Sequence, residues 1–163
     1  MKIQVYFLIP WLISQIFFWQ YWLEVYKRFG IRPSISQSHL EFPQKQGWKY
    51  TVFMWGLSVP MLFLFPHWST VLMVMFLCID GAARTGSGDR LEQFLHNFGA
   101  EAGMTLSLVV LAILGCWVAL GATLLVAGWI YWRKPGNETW WGETVFYVIP
   151  SIALFFKFVL ILN

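Results

Sequence analysis

The chain has 163 residues, of which 58% are hydrophobic and 20% aromatic but only 12% charged. A soluble domain carries about 25% charged residues, and a chain this short has no core large enough to hide the difference. The composition therefore excludes an ordinary soluble domain and makes the lipid bilayer the first expected partner. The net charge of +3 rests on Lys and Arg scattered over polar segments, with no basic run beyond Lys27-Arg28 and Arg133-Lys134. That pattern argues against nucleic acid and for loops that set orientation at a membrane surface.

The expected class is an all-α, polytopic helical membrane protein, with about five transmembrane helices in one bundle and one domain over 1–163. A crossing helix needs about 20 apolar residues. The first is expected over about 3–25. Lys2 ahead of an apolar run suggests a signal peptide, but no small-residue cleavage site follows. Trp19, Tyr21, Trp22 and Tyr26 instead close the run as an interfacial aromatic belt, so it reads as a retained span.

Gly30, Pro33, Pro43 and Gly47 mark a polar loop. The second and third spans are expected over 50–65 and 69–83, as a tight hairpin about Pro66-His67-Trp68. Pro60 and Pro66 argue against one bent helix there. A loop rich in Gly and charge follows, and Leu91, Leu95 and Phe98 then fall at helical spacing, as an interfacial turn leading inward. The fourth span is expected over 104–132, about 43 Å if unbroken, so that it must tilt or project. Gly115, Ala119, Thr123 and Ala127 recur every four residues along it, a small-residue ridge for close helix packing. The fifth span is expected over 141–162.

Five spans place Lys27, Arg28, Arg32, Lys45, Lys49, Arg84 and Arg90 on one face, and Lys2, Arg133 and Lys134 on the other. The excess predicts an N-terminus outside and a C-terminus in the cytoplasm, by the rule that basic loops stay inside.

Ionisable side chains within spans are costly and mark function or pairing. Here they are Glu24, Asp80 and Lys157, with Glu101 and Glu143 nearer the boundary. Alternate threading gathers Glu24, Ser36, His39, Asp80, His96, Glu101 and Lys157 at one membrane face. Three chemistries fit this cluster. Lys157 can pair with Asp80 or Glu24 as a structural lock. The polar face can instead bind or transport a small molecule or lipid, or hold a second copy or another membrane protein. Neither reading needs a cofactor or metal. The third is a membrane-embedded, metal-dependent hydrolase of lipids, with His39, Asp80 and His96 as zinc ligands and Ser36 nearby. No local signature such as HExxH supports it.

Other motifs carry less. Thr85-Gly86-Ser87-Gly88-Asp89 has neither the spacing nor the lysine of a phosphate-binding loop. Cys78 and Cys116 lack any CxxC or Cys/His spacing and read as unpaired thiols. Asn137-Glu138-Thr139 matches the glycosylation sequon.

Three segments together carry a family resemblance. Ser34-Ile35-Ser36 follows the first span, Asp80 closes the third, and His96-Asn97-Phe98-Gly99-Ala100 leads into the fourth. Over about residues 28–120 this resembles the small polytopic membrane proteins of the DRAM-like kind. The resemblance implies six spans rather than five, a serine loop on the non-cytoplasmic side, and no defined chemistry.

Overall fold

Prolines and glycines decide where the helices break. A computed structural model describes residues 2–43, 46–83 and 90–161, without the side chains of Lys2, Ile3, His39, Leu160 and Ile161. Helix α1 (Val5–Phe29) is followed by a polar segment carrying a short 3₁₀ helix, Ser36–Glu41. Helices α2 (Trp48–Ser58) and α3 (Met61–Leu64) form one rod, interrupted where Pro60 has no N–H to donate. Beside the break, Ser14 of α1 donates its hydroxyl to the Leu57 carbonyl at 2.8 Å.

Helix α4 (Trp68–Ala82) doubles back on α2. Thr51 donates to the Gly81 carbonyl at 2.6 Å and Trp55 to the Cys78 carbonyl at 3.1 Å, so the two helices run antiparallel. The expected hairpin about Pro66-His67 is present.

Helix α5 (Arg90–Ile113) packs along α4. Two glycines permit the approach. A Cβ on Gly99 would lie 2.7 Å from the Phe76 carbonyl oxygen, and one on Gly103 would lie 2.5 Å from the Leu77 side chain. Small residues four apart are the usual device for close helix contact in membranes.

The expected fourth span, 104–132, is not one helix. α5 already begins at Arg90 and stops at Gly115, whose φ of +69° is one that L side chains rarely adopt. Cys116 N–H bonds the Leu111 carbonyl at 2.9 Å, and Gly115 N–H bonds the Ala112 carbonyl at 3.0 Å. This pair of bonds is a Schellman motif, which satisfies the last carbonyls and turns the chain. Helix α6 (Trp117–Arg133) then runs back beside helix α7 (Glu138–Leu154). Gly115 is therefore a helix terminator, not the first step of a packing ridge. Of the other ridge residues, Thr123 and Ala127 are buried and Ala119 is half-buried.

α7 continues as a wider π turn, Phe155–Val159, and runs antiparallel to α1. Trp22 donates to Thr144 at 3.2 Å, Gln15 to the Tyr147 hydroxyl at 2.8 Å, and Trp11 to the Ser151 carbonyl at 3.0 Å. At the far end Gln4 N–H bonds the Val159 carbonyl at 3.0 Å. Strands β1 (Lys2–Ile3) and β2 (Leu160–Ile161) pair antiparallel beyond it.

The described helices thus form six rods of alternating direction, counting α2 and α3 as one, and Lys2 and Ile161, the ends of the described residues, lie together. This corrects the expectation of five rods with termini at opposite ends. The missed turn at Gly115 adds a reversal, so everything after it changes ends. Arg133 and Lys134 join Lys27, Arg28, Arg32, Lys49 and Arg90 at what we term the loop end, and Lys157 moves to the termini end.

Two helices are long and apolar enough to cross a membrane, Arg90–Ile113 and Glu138–Val159. The outside of the molecule is apolar, as at Val118, Leu125 and Trp132 of α6 and Val5, Ile9 and Ile16 of α1. Its inside holds Ser14, Ser58, Thr70, Asp80, His96, Thr123 and Ser151, all buried.

Candidate functional site

Asp80, at the last turn of α4, is held between two neighbours. Gly99 and Gly103 bring α5 against one side of the helix. On the other, a Cβ on Gly81 would stand 2.6 Å from the Met54 Cβ of α2. The carboxylate is consequently clamped between two aromatic rings. The Tyr50 hydroxyl donates to Asp80 Oδ2 at 2.9 Å, and His96 Nδ1 lies 2.7 Å from Asp80 Oδ1. Asp80, His96 and Tyr50 are only 2%, 3% and 3% exposed. A buried carboxylate engaged on both oxygens is a low-cost way to keep a charge out of water, and either donor alone would leave it short.

Glu143 of α7 forms a second polar centre. Its Oε2 accepts from the backbone N–H of Ile35 at 2.5 Å and of Ser36 at 3.3 Å. The Ser36 hydroxyl also hydrogen-bonds this carboxylate, and Ser34 and Ser36 bond each other at 2.9 Å. Glu143 therefore fastens the Ser34-Ile35-Ser36 turn over the loop end of the bundle.

Two spaces meet at this centre. A half-enclosed cavity of ≈ 140 Å³ runs between α1, α2, α3, α4, α5 and α7. Its walls are mainly apolar, as at Phe53, Met54, Met73, Leu77 and Val110, and Tyr50, Asp80, Ser36 and Glu143 close its loop end. A polar cleft of ≈ 520 Å³ lies outside, lined by residues that include Gln37, Gln93, His96, Asn97, Glu101 and Thr139. Ser36, Ala100, Met104 and Glu143 line both spaces and form the boundary between them.

The cavity is long and thin. Asp80 and Thr70, both on its wall, are ten residues apart on α4, about 15 Å along a helix. An apolar cavity of about 150 Å³ accepts a guest the size of benzene. The space here takes an apolar group of similar bulk, drawn out along the bundle. The Thr70 hydroxyl on its wall is fully buried and has no hydrogen-bond partner among the described residues.

Of the expected cluster, Glu24, Ser36, Asp80, His96 and Glu101 do lie toward the loop end, but they do not form one site. Glu24 pairs with Arg28 at 2.9 Å and with Lys49 at 2.6 Å on the bundle's outer edge. Ser36 and Glu101 line the cleft with His96. Lys157 is exposed at the opposite end, next in the chain to Phe158, whose ring lies 5.7 Å from that of Phe7. It pairs with neither Asp80 nor Glu24, which corrects the structural-lock expectation. His39 lies on the 3₁₀ helix with its side chain outside the described residues, as does the whole 85–89 loop. Asp80 and His96 meet, but no group of three His, Cys, Asp or Glu side chains that could hold a metal occurs among the described residues.

Tyr50, Gly99, Gly103 and Ser107, the last on the cavity wall in α5, escaped the sequence reading as site residues, and Glu143 was read only as a boundary charge. The glycines did leave a signal. Gly99-Ala-Glu-Ala-Gly103 has the small-residue spacing sought further along the chain. No family model, no curated protein and no solved structure matches this chain.

Proposed function

We propose that this chain is a multi-pass membrane protein that binds an amphiphilic small molecule, admitted through the polar cleft with its apolar part in the half-enclosed cavity. One observation carries the reading: the polar cleft and the apolar cavity share a boundary at Ser36, Ala100, Met104 and Glu143. Adjoining polar and apolar spaces match a ligand with the same gradient, and pockets that fix a ligand by few polar groups in an apolar wall are the usual kind.

The membrane setting draws on two further features. Large apolar side chains face outward around the perimeter while Ser, Thr, Asp and His face inward, the reverse of a water-soluble bundle. Six crossings suit the alternating rods, and this is also the number the DRAM-like resemblance implies. Among the described residues seven Lys and Arg lie at the loop end, against Lys2 and Lys157 at the other. That bias favours a cytoplasmic loop end with both chain ends outside, the opposite of what the resemblance implies for the serine loop.

Protein purified into lipid nanodiscs should carry a stoichiometric amphiphile that mass spectrometry can release and identify. Ser107→Phe, which fills the cavity, should lose that molecule while the helical circular dichroism is unchanged. Wild type without any bound amphiphile, or a Ser107→Phe variant that keeps it, would overturn the reading.

A further inference from the structure

We infer that the ligand is a cationic amphiphile, a hydrophobic amine or ammonium, and not a fatty acid or other anion. The inference rests on the cavity reading above and adds the sign of the head group.

The charges of the loop end are sorted. Its cations are drawn to the outer edge: Arg28 and Lys49 pair with Glu24, and Arg32 pairs with Glu41. Arg133 lies over the rings of Trp129 and Trp132, 5.7 and 5.3 Å from their centroids. Among the described residues no Lys or Arg lines either the cavity or the cleft. Carboxylates do. Glu143 stands on the boundary between the two spaces, Glu101 on the cleft wall, and Asp80 on the cavity wall beside His96. Among the described residues Glu143 has hydrogen-bond donors around it but forms no ion pair.

An anion passing this boundary meets carboxylates in a medium of low dielectric, where like charges repel far more strongly than in water. A cation gains what an anion loses. The cavity wall below adds the rings of Phe18, Tyr50, Phe53, Phe146 and Tyr147, and aromatic rings attract a cation that lies over a face. A second, independent feature points to an occupant of the space. The buried Thr70 hydroxyl on its wall lacks a partner among the described residues, and an amine whose apolar part carries an ether or carbonyl oxygen would supply the missing acceptor.

The test uses three probes with the same six-carbon chain: hexyltrimethylammonium, hexanol and hexyl sulfate. Each is dialysed to equilibrium between protein in phosphatidylcholine nanodiscs and empty nanodiscs, so that partition into lipid cancels. Saturable one-to-one binding should be at least tenfold tighter for the ammonium than for the sulfate. Glu143→Gln should shrink that gap below threefold. Because Glu143 also holds the Ser34-Ile35-Ser36 turn, Glu101→Gln on the exposed cleft wall supplies a second variant and should shrink the gap in part. Sulfate bound as tightly as ammonium by the wild type would overturn the inference, as would a gap untouched by both variants. Hexanol binding without any charge preference would remove the cationic head group and leave the cavity reading standing. If no probe binds above the empty discs, both fail together.

Discussion

The backbone nitrogen of Asp80 lies 2.8 Å from the point where a Cβ on Gly99 would stand. The hydrogen placed there in glycine is what lets α5 approach α4 closely enough for His96 to reach the Asp80 carboxylate. The obstructing atoms are backbone, which cannot swing aside as a flexible side chain can. Gly99→Val should therefore destabilise the folded protein in detergent by about 1–3 kcal/mol through overpacking. Gly128→Ala is the control. Nothing lies within 4 Å of its Cβ position on α6, so it should be neutral or stabilising by up to about 1 kcal/mol. Equal losses from the two would mean that glycine at 99 has no special packing role.

The contact between Asp80 and His96 makes a prediction of coupling. Both side chains are buried, and Tyr50 shares the carboxylate. Removing one partner leaves a buried polar group unsatisfied, while removing both leaves less to satisfy. Asp80→Asn and His96→Gln should each destabilise, and the double variant should lose less than their sum by about 0.5–3 kcal/mol. Additive losses in a double-mutant cycle would show that the two residues are neighbours without a shared interaction.

Much of this site could be read from the chain, and the failures have one physical origin. Asp80 and His96 were expected at the same face because the hairpin at Pro66-His67 has visible punctuation in its prolines. The turn at Gly115 has none. It lies in Leu111-Ala112-Ile113-Leu114-Gly115-Cys116-Trp117, apolar throughout, and a lone glycine there serves a packing ridge as readily as a helix cap. Only the left-handed φ decides, and it depends on the whole bundle. The cavity was beyond reach for another reason. Met54, Met73, Leu77 and Ser107 are ordinary residues for helix interiors, and the space among them arises from how six rods pack, not from any local pattern.

Lys157 separates the two readings of the chain. If it were the central cation of a buried cluster, removing its charge would strand a carboxylate and cost several kcal/mol. The structure has it exposed at the termini end, with Asp80 and Glu24 supplied by His96, Arg28 and Lys49 instead. Lys157→Met should change stability by less than about 0.5 kcal/mol, as surface substitutions do. A loss of several kcal/mol on chemical unfolding would restore the five-rod arrangement.

The last prediction concerns which segments share a face of the membrane. With Cys78 and Cys116 replaced by alanine, single cysteines are introduced at Gln37, Gly136, Pro66 and Lys2 in a chain inserted into cells. Gln37 and Gly136 belong to the loop end, where Trp140 N–H bonds the Pro33 carbonyl at 3.1 Å and ties the two loops together. Pro66 and Lys2 belong to the other end, where the rings of Phe65 and Phe7 each lie within 6.1 Å of that of Phe158. An impermeant thiol reagent added outside should therefore label one pair and spare the other. Five rods would instead separate Gln37 from Gly136, because the Arg133-Lys134 loop would then face away from the first. The seven basic residues at the loop end predict that Pro66 and Lys2 are the labelled pair. Labelling of Gln37 and Gly136 together would keep the six rods and reverse their orientation, as the DRAM-like resemblance implies. Labelling of Gly136 with Pro66, while Gln37 is spared, would return the fourth and fifth segments to the five-rod order and disprove the turn at Gly115 as a reversal of the chain.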